Sequence, residues 1–588
     1  MLKIVDGRIF INPSVLEKRM EVKRLIASKL VKEVGVKSVD EYLSLLEVPP
    51  DEKLGDYALP CFTFAKELQR NPVEAAKEIA AKVFTSDVVE RAVATGPYVN
   101  LFLSRAVIGK SVVGDVLAQK ASYGAGAPKG ERVMIEYSQP NTHKAFHAGH
   151  LRGTSIGEAL ARILKHAGFE VVQANYSGDT GMHVAKWLWC YLKYHAKERA
   201  PKTLKGKWLA AIYVDAVSRL EENPSLQAEV DEINRKLDEG KDEALLKAWN
   251  ESRQWSIDDL NAIYKDLDAH FDVWWFEREV EQRGKELARQ LVEQSLAKVD
   301  DGATIIDLQE YKLGVWVLLR KDGTVLYSAK DLALAEKKFT EFKIDRSVYV
   351  VGKAQALHLQ QLFKTLELLR FPQAKKCYHY PYEEVRLPDG KMSSRTGKNL
   401  LYQDVKSEVY AYAEQEVRKR HEDWAKPQIS KVVKSVAACA MKFEMLARDR
   451  NKPIVFQVEK VCDFEGDTGP YVQYTLARAN SILEKLERKP GMRGTDFNKL
   501  SSDEEYRVVK QLLRFPEVVG EAARSYAPES VATYALELSK AFNSFYHAKK
   551  VIGEEERVRQ TRAALVFATA IVLERTLTLL GLPALKKM

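Results

Sequence analysis

The sequence predicts an α/β core on a parallel sheet, with an α+β unit before it and an all-helical region after it. Three observations predict this. The apolar run Val133-Met134-Ile135 leads through a polar loop into a stretch with Leu151, Ile156, Leu160 and Leu164 at helical spacing, and then into "FEVVQANYS" (Phe169–Ser177). Strand, helix and strand in that order make a βαβ unit, which requires parallel strands and a right-handed crossover. From about Gln403 to Met588 helical periodicity follows helical periodicity with no strand signal.

Residues 1–120 read as the α+β unit. A helical pattern over Val15–Val34 precedes the turn-rich "PPDEKLGDYALP" (Pro49–Pro60), and "YVNLFLS" (Tyr98–Ser104) alternates as a strand does. The Gly-rich "YGAGAPKGER" (Tyr123–Arg132) invites comparison with a phosphate loop. No strand runs directly into Gly124 and no helix follows, so it reads as a linker. Residues 121–400 form the α/β core, with its first helix over about Ala148–His166. They are interrupted at about 196–270 by a charged, helical insertion read as a helical hairpin. Strand-like "GATIIDL" (Gly302–Leu308), "GVWVLLR" (Gly314–Arg320), "TVLYS" (Thr324–Ser328) and "RSVYVVG" (Arg346–Gly352) then place the second half of the sheet beyond the insertion. Residues 401–588 form the helical region.

A chain of 588 residues suits three or four domains. The net charge of +9, from 91 Lys plus Arg against 82 Asp plus Glu, fits a solvated exterior as well as a polyanionic partner. Cys61, Cys190, Cys377, Cys439 and Cys462 form no CxxC or other metal-ligand spacing, and an odd, scattered set suits a reducing compartment. The start MLKIVDGRIF lacks a signal-peptide layout. The least interrupted apolar stretch, Ala563–Leu573, is about half the ~20 residues that span a bilayer. These features together read as a cytoplasmic protein.

Two stretches carry chemistry. "NTHKAFHAGHLRGT" (Asn141–Thr154) follows the first core strand and opens its helix. A helix N-terminus there presents unpaired N–H groups and the positive end of the dipole, a site for phosphate. His147 and His150 fall on one face of the first turn, and Gly149 between them clears room for a flat ring against the backbone. A zinc pair would need a third ligand and commonly i, i+4 spacing with a glutamate, and neither is present. The second stretch, "GKMSSRTGK" (Gly390–Lys398), is a glycine-flanked loop with Lys391, Arg395 and Lys398, suited to closing over a triphosphate.

HAGH with KMSS resembles the signature pair of class I aminoacyl-tRNA synthetases, usually HIGH and KMSKS, whose core is a Rossmann-type sheet. The longer "EYSQPNTHKAFHAGHLRG" resembles the arginyl-tRNA synthetases within that class. The likeness spans nearly the whole chain. "GDYALPCFTFAKELQRNP" (Gly55–Pro72) and "TGPYVNLFLS" resemble that family's N-terminal added domain, and "GDTGPYVQYTLARANSIL" (Gly466–Leu483) and "LLGLPALKKM" its anticodon-binding domain.

The resemblance implies a two-step reaction. ATP and L-arginine give arginyl-adenylate and pyrophosphate, and the arginyl group then passes to the 2′-hydroxyl of the terminal adenosine of tRNA(Arg). ATP with Mg2+ enters as substrate, no protein-ligated metal is implied, and the family suggests a monomer. His147, His150, Lys144 and Lys391 would be catalytic, with Lys144 standing in for the lysine that Ser394 and Arg395 leave out of the second motif. Ser138, Gly149, Gly153, His358, Met392, Ser393 and Arg395 would meet ATP. Arginine would be held by Glu136, Asn141, His150, Tyr327, Asp331 and Gln355, since a guanidinium fork asks for carboxylates. For tRNA the candidates are Tyr57 and Asn100 at the D-loop corner, and Tyr471, Tyr474 and Arg478 at the anticodon, where aromatics stack on splayed bases.

Plain alternatives stand beside these: a structural ion pair for Glu136, a helix cap for Asp331, core packing for Tyr327, Tyr471 and Tyr474, and a solvent-facing Lys144. Two other functions stand as competitors, a nucleotidyltransferase sharing the HxGH motif and a synthetase-like tRNA-binding protein without catalysis.

Overall fold

The run at Val133 is the first strand of a five-stranded parallel sheet: β1 (Arg132–Glu136), β2 (Glu170–Ser177), β3 (Val273–Phe276), β4 (Arg346–Gly352) and β5 (Cys377–Tyr382). Their order is β5-β4-β1-β2-β3, so the chain winds outward on one side of β1 and then crosses to the other. That reversal opens a crevice at the carboxyl ends of β1 and β4, the place where open α/β sheets bind ligands. In register, Glu136 at the end of β1 lies opposite Ala174 of β2 and Tyr349 of β4. The computed structural model describes residues 3–5, 8–10, 21–83, 88–386, 388, 400–486 and 490–588.

Helix α1 (Ala148–His166) returns β1 to β2 over the predicted span. The insertion holds three helices, α2 (Lys205–Glu222), Gln227–Glu239 and Glu243–Leu267, and is therefore not a hairpin; Gly240 in the left-handed region caps the second. Helices α3 (Glu277–Glu293) and α4 (Tyr327–Phe342) cover one face of the sheet, where Met134, Val172, Ala174 and Trp275 meet Val280, Ala333 and Leu334. Helix α5 (Ala356–Leu368) follows β4.

Three strand expectations change. "GATIIDL" and "GVWVLLR" pair with each other and with Lys298–Asp300 in a separate antiparallel sheet, and do not extend the parallel one. "TVLYS" splits: Val325 bridges Leu319, but Tyr327 already begins α4, because Leu332, Ala333 and Ala335 continue at helical rather than alternating spacing. In the C-terminal region Ile454–Val455 makes a short parallel pairing with Val385–Arg386.

The N-terminal unit contains an antiparallel sheet of Tyr57–Pro60, Tyr98–Leu103 and Val89–Thr95 with helix Glu21–Glu33; the predicted helix start at Val15 lies outside the described residues. The C-terminal helices are stitched to the core by buried cations. Arg152 of α1, fully buried, donates to the carbonyls of Glu383, Lys452 and Asp449. Lys442 donates to those of Leu267 and Gly581, and burial lowers its ammonium to about 8. Among the described residues no helix is long and apolar enough to cross a membrane.

Candidate active site

At the mouth of the crevice His147 is the N-cap of α1. Its Nδ1 accepts from the backbone N–H groups of Gly149 (3.1 Å) and His150 (3.4 Å), while the His150 Nδ1 accepts from the His147 N–H at 3.3 Å. The two rings stack with centroids 3.8 Å apart. A Cβ on Gly149 would stand 3.0 Å from the His147 ring, so glycine is what lets that ring fold back over the helix end. Because each Nδ1 is an acceptor, each ring carries its proton on Nε2. The cap thus leaves a pair of Nε2–H donors. Burial holds His147 down to about 4 and His150 well below the usual histidine range, with Lys144 adding to both, so the donors are neutral imidazoles.

His143, the third histidine of the stretch, is buried between Thr142 (2.9 Å) and Ser252 (2.8 Å) and ties the loop to the insertion; burial lowers it to about 3. A histidine in the unfolded chain takes up its proton near 6.5. Below that pH the unfolded state binds protons that the folded rings refuse, so stability falls as pH drops from about 6.5 toward 4, by about 1.4 kcal/mol per pH unit for each ring. Thermal melts at ~pH 7.5 and ~pH 5 check this: the lower pH is expected to show the lower Tm.

A cavity of about 750 Å³ opens between the motif and the insertion, lined by Asn141, Lys144, His147 and His150 on one side and by Lys207, Tyr213 and Asp215 of α2 on the other. Lys144 is turned into it, 5.4 Å from the Tyr213 ring, and burial and Lys186 lower its ammonium. Asp215 belongs to a network in which one carboxylate oxygen meets Cys190, His195 and Arg219. Lys391, Met392, Ser393 and Arg395 of the second motif lie outside the described residues. The chain leaving that motif is pinned to the first: Ala148 N–H donates to the Leu400 carbonyl (2.9 Å), and Tyr402 N–H donates to that of Phe146 (3.0 Å). Residues some 250 positions apart thereby meet at the histidines.

Behind β1 lies a cluster of acids. Glu136 is 4% exposed; one oxygen accepts from Gln139 Nε2 (2.8 Å) and the other is paired with the fully buried Lys338 of α4. The plain alternative for Glu136, an ion pair, is thus present in the fold. Asp331, on the second turn of α4, accepts from His358 Nε2 at 2.6 Å, and Trp316 Nε1 donates to the other ring nitrogen at 3.3 Å. His358, expected at the nucleotide, is thus placed beside this acid. Tyr327 sits one turn before Asp331 as predicted, edge-on to His358 at 4.7 Å and 59% exposed at the rim, where Gln355 is exposed too. The Asn141 side-chain Oδ1 accepts from Gly178 N–H (3.3 Å), at a spot where a Cβ on Gly178 would meet it at 2.6 Å and the Glu277 carboxylate at 2.9 Å.

Four further residues of the expected sites are buried or closely packed. The Ser138 hydroxyl is 2.9 Å from the Tyr264 hydroxyl and 2.8 Å from Thr154. Gly153 is a packing glycine, since a Cβ there would stand 2.5 Å from the Tyr382 hydroxyl. Tyr57 (7% exposed) and Asn100 (4%) lie inside the N-terminal unit, Asn100 bonded to Thr95. In the C-terminal helices Arg478 lies between the rings of Tyr474 (4.8 Å) and Tyr546 (4.6 Å) and is bonded to Asn543, with Tyr471 half-buried beside them. Sequence reasoning missed Tyr546, which comes from another helix, and it missed Lys338, Tyr176 and Glu277. The one readable signal for the latter group was "YSGD" at the carboxyl end of β2, where a parallel sheet places ligands.

Known proteins agree with this architecture segment by segment. Residues 112–458 match the family model for the catalytic domain of class I tRNA synthetases (R), residues 20–103 that for the arginyl tRNA synthetase N terminal domain, and residues 472–588 that for the DALR anticodon binding domain. The arginine–tRNA ligase of Bdellovibrio bacteriovorus is 37% identical over 96% of this chain and 99% of its own. That of Clostridium perfringens is 33% identical over 97% of this chain and all of its own. The structure of Thermus thermophilus arginyl-tRNA synthetase superposes with a TM-score of 0.79 at 27% identity, covering 96% of this chain and 100% of that one. The doubly wound sheet with a histidine-capped helix N-terminus at its crevice, matched along nearly the full chain by these relatives, leads to one conclusion: the chain belongs to the arginyl-tRNA synthetase family of class I aminoacyl-tRNA synthetases.

Proposed function

We propose that the chain performs arginine–tRNA ligation with the α1 N-terminus as its phosphate site and the pocket behind β1 as its arginine site. In the first step the arginine carboxylate attacks the α-phosphorus in line. A bond forms from carboxylate oxygen to phosphorus, the bond to the β-phosphate oxygen breaks, and pyrophosphate leaves with its electron pair. No side chain need act as a nucleophile, so the protein supplies alignment and charge. The Nε2–H groups of His147 and His150 donate to the α-phosphate oxygens as charge builds on them, and Lys144 and Lys391 neutralise the departing pyrophosphate. Mg2+ arrives with ATP, whose triphosphate would hold it. Asp331 takes the guanidinium, and Asn141 and Gln355 orient the α-amino and carboxylate end. In the second step the terminal 2′-hydroxyl of tRNA(Arg) attacks the arginyl carbonyl and AMP departs. The reading places the enzyme in the cytoplasm as a monomer, in keeping with five free cysteines.

The observation that carries this is the reciprocal cap of His147 and His150, which fixes both protons on Nε2. ATP–pyrophosphate exchange tests it: exchange is expected to require arginine and to fail with lysine. No exchange with arginine even when tRNA(Arg) is present would overturn the reading.

A further inference from the structure

The cluster of acids behind β1 is notable for what already neutralises it. Glu136 has Lys338, Glu277 has Lys330 at 3.1 Å, and Asp179 has Arg253 at 2.8 Å. Asp331 alone of the four has no ammonium or guanidinium partner among the described residues, only the His358 imidazole. In the midst of these acids stands Tyr176 of β2. The register sets it two residues beyond Ala174, which lies opposite Glu136, and it therefore points to the same face of the sheet as Glu136, the face covered by α3 and α4. Its hydroxyl is shut off from solvent, and among the described residues it meets no hydrogen-bond partner. Burial, together with the charges of Asp331, Glu277, Glu136 and Asp179, pushes its ionisation well above the usual tyrosine range, so it is a neutral phenol. A buried hydroxyl left unpaired is unfavourable and calls for an explanation, of which a bound ligand that completes it is one.

The missing partner is an N–H donor. The phenol oxygen has acceptor capacity, and every group around it that carries charge in excess is anionic. A guanidinium carries five N–H donors in a planar fork, and a carboxylate occupies one edge with two of them. We propose that Tyr176 is a specificity-determining residue for arginine, its phenol oxygen accepting a guanidinium N–H that Asp331 leaves unused. This rests on the reading of Asp331 as the guanidinium's carboxylate. Lysine, with a compact ammonium and no second edge, would satisfy one of the two groups and leave the other buried and unpaired.

The test is Tyr176→Phe in the full-length enzyme, which keeps the ring and its packing. In ATP–pyrophosphate exchange the KM for arginine is expected to rise about 10-fold or more, the loss of one hydrogen bond to a charged group, with the KM for ATP unchanged and the Tm of the substrate-free enzyme no lower than that of the wild type. A second readout uses Nω-methylarginine, in which one terminal N–H is replaced: the wild type is expected to discriminate against it, and the variant to discriminate several-fold less. A merely structural tyrosine would not move that ratio. Asp331→Ala serves as the reference. If it raises the arginine KM while Tyr176→Phe moves neither the KM nor the discrimination, the Tyr176 assignment is overturned and the pocket stands. If Asp331→Ala leaves the arginine KM unchanged, the pocket itself is wrong and the Tyr176 assignment falls with it.

Discussion

Replacing His150 with alanine is expected to lower kcat for arginine activation about 10²–10³-fold, the loss seen when one preorganised donor to a developing oxyanion is removed. The reason lies in the cap. His150 Nδ1 is occupied by the His147 N–H at 3.3 Å, so the only proton the ring can offer is on Nε2, and burial keeps the ring from gaining a second. The donor is fixed before substrate arrives and requires no reorganisation as charge develops. It strengthens in the transition state more than in the ground state, so KM for ATP should change far less than kcat. Since the imidazole is neutral throughout, the fold-loss should be the same at ~pH 6 and ~pH 8. His147→Ala should match it in kcat and also lose about 1 kcal/mol of stability, because His147 is the N-cap of α1 as well. Pyrophosphate exchange at saturating substrates, with a thermal melt of each variant, separates the two effects. A rise in KM for ATP with kcat intact would show instead that the rings bind the nucleotide uniformly.

The legible parts of this molecule were those whose cause is local. Ile156, Leu160 and Leu164 face one side of α1 because they are spaced for a helix, while Leu151 packs on another side with Phe146 and Tyr402, and the apolar run at Val133 is buried because a parallel strand is covered on both faces. The histidine site was readable for the same reason, since cap, glycine and rings are neighbours in sequence. Strands β3 and β5 were not readable: "VWWF" is four residues long and follows a charged helix, while "CYHYPY" mixes polar and aromatic groups without alternation. Residues 303–307 and 315–319 have the right strand pattern, but the pattern says nothing about which sheet they join. The burial of Tyr57 was not readable, because a tyrosine's sequence neighbours do not tell a surface ring from a core one. Lys338 was invisible because its partner Glu136 lies about two hundred residues away, across the insertion.

That invisible pair sets Glu136 apart from Asp331 in the proposed arginine pocket. Asp331→Ala is expected to raise the KM for arginine about 10²–10³-fold, from ~3–4 kcal/mol for removing one partner of a buried, hydrogen-bonded charge pair. KM for ATP should hardly move, because the phosphate site at α1 shares no residue with α4. Glu136 cannot take over the role. Its oxygens are already occupied by Gln139 and by the ammonium of Lys338, which is fully buried and tolerates no loss of its counter-charge. The same truncation at Glu136 should therefore appear first as lost stability, about 3–5 kcal/mol for a buried cation left alone, and only second as weakened arginine binding. Asp331→Asn keeps the volume and the His358 contact but offers a dipole in place of a charge, so its arginine KM should fall between wild type and alanine. Steady-state exchange kinetics beside urea unfolding distinguish the two sites. An arginine KM that rises equally in the Asp331 and Glu136 variants, with equal stability, would mean that Lys338 leaves Glu136 when arginine binds and that the guanidinium is shared by both acids.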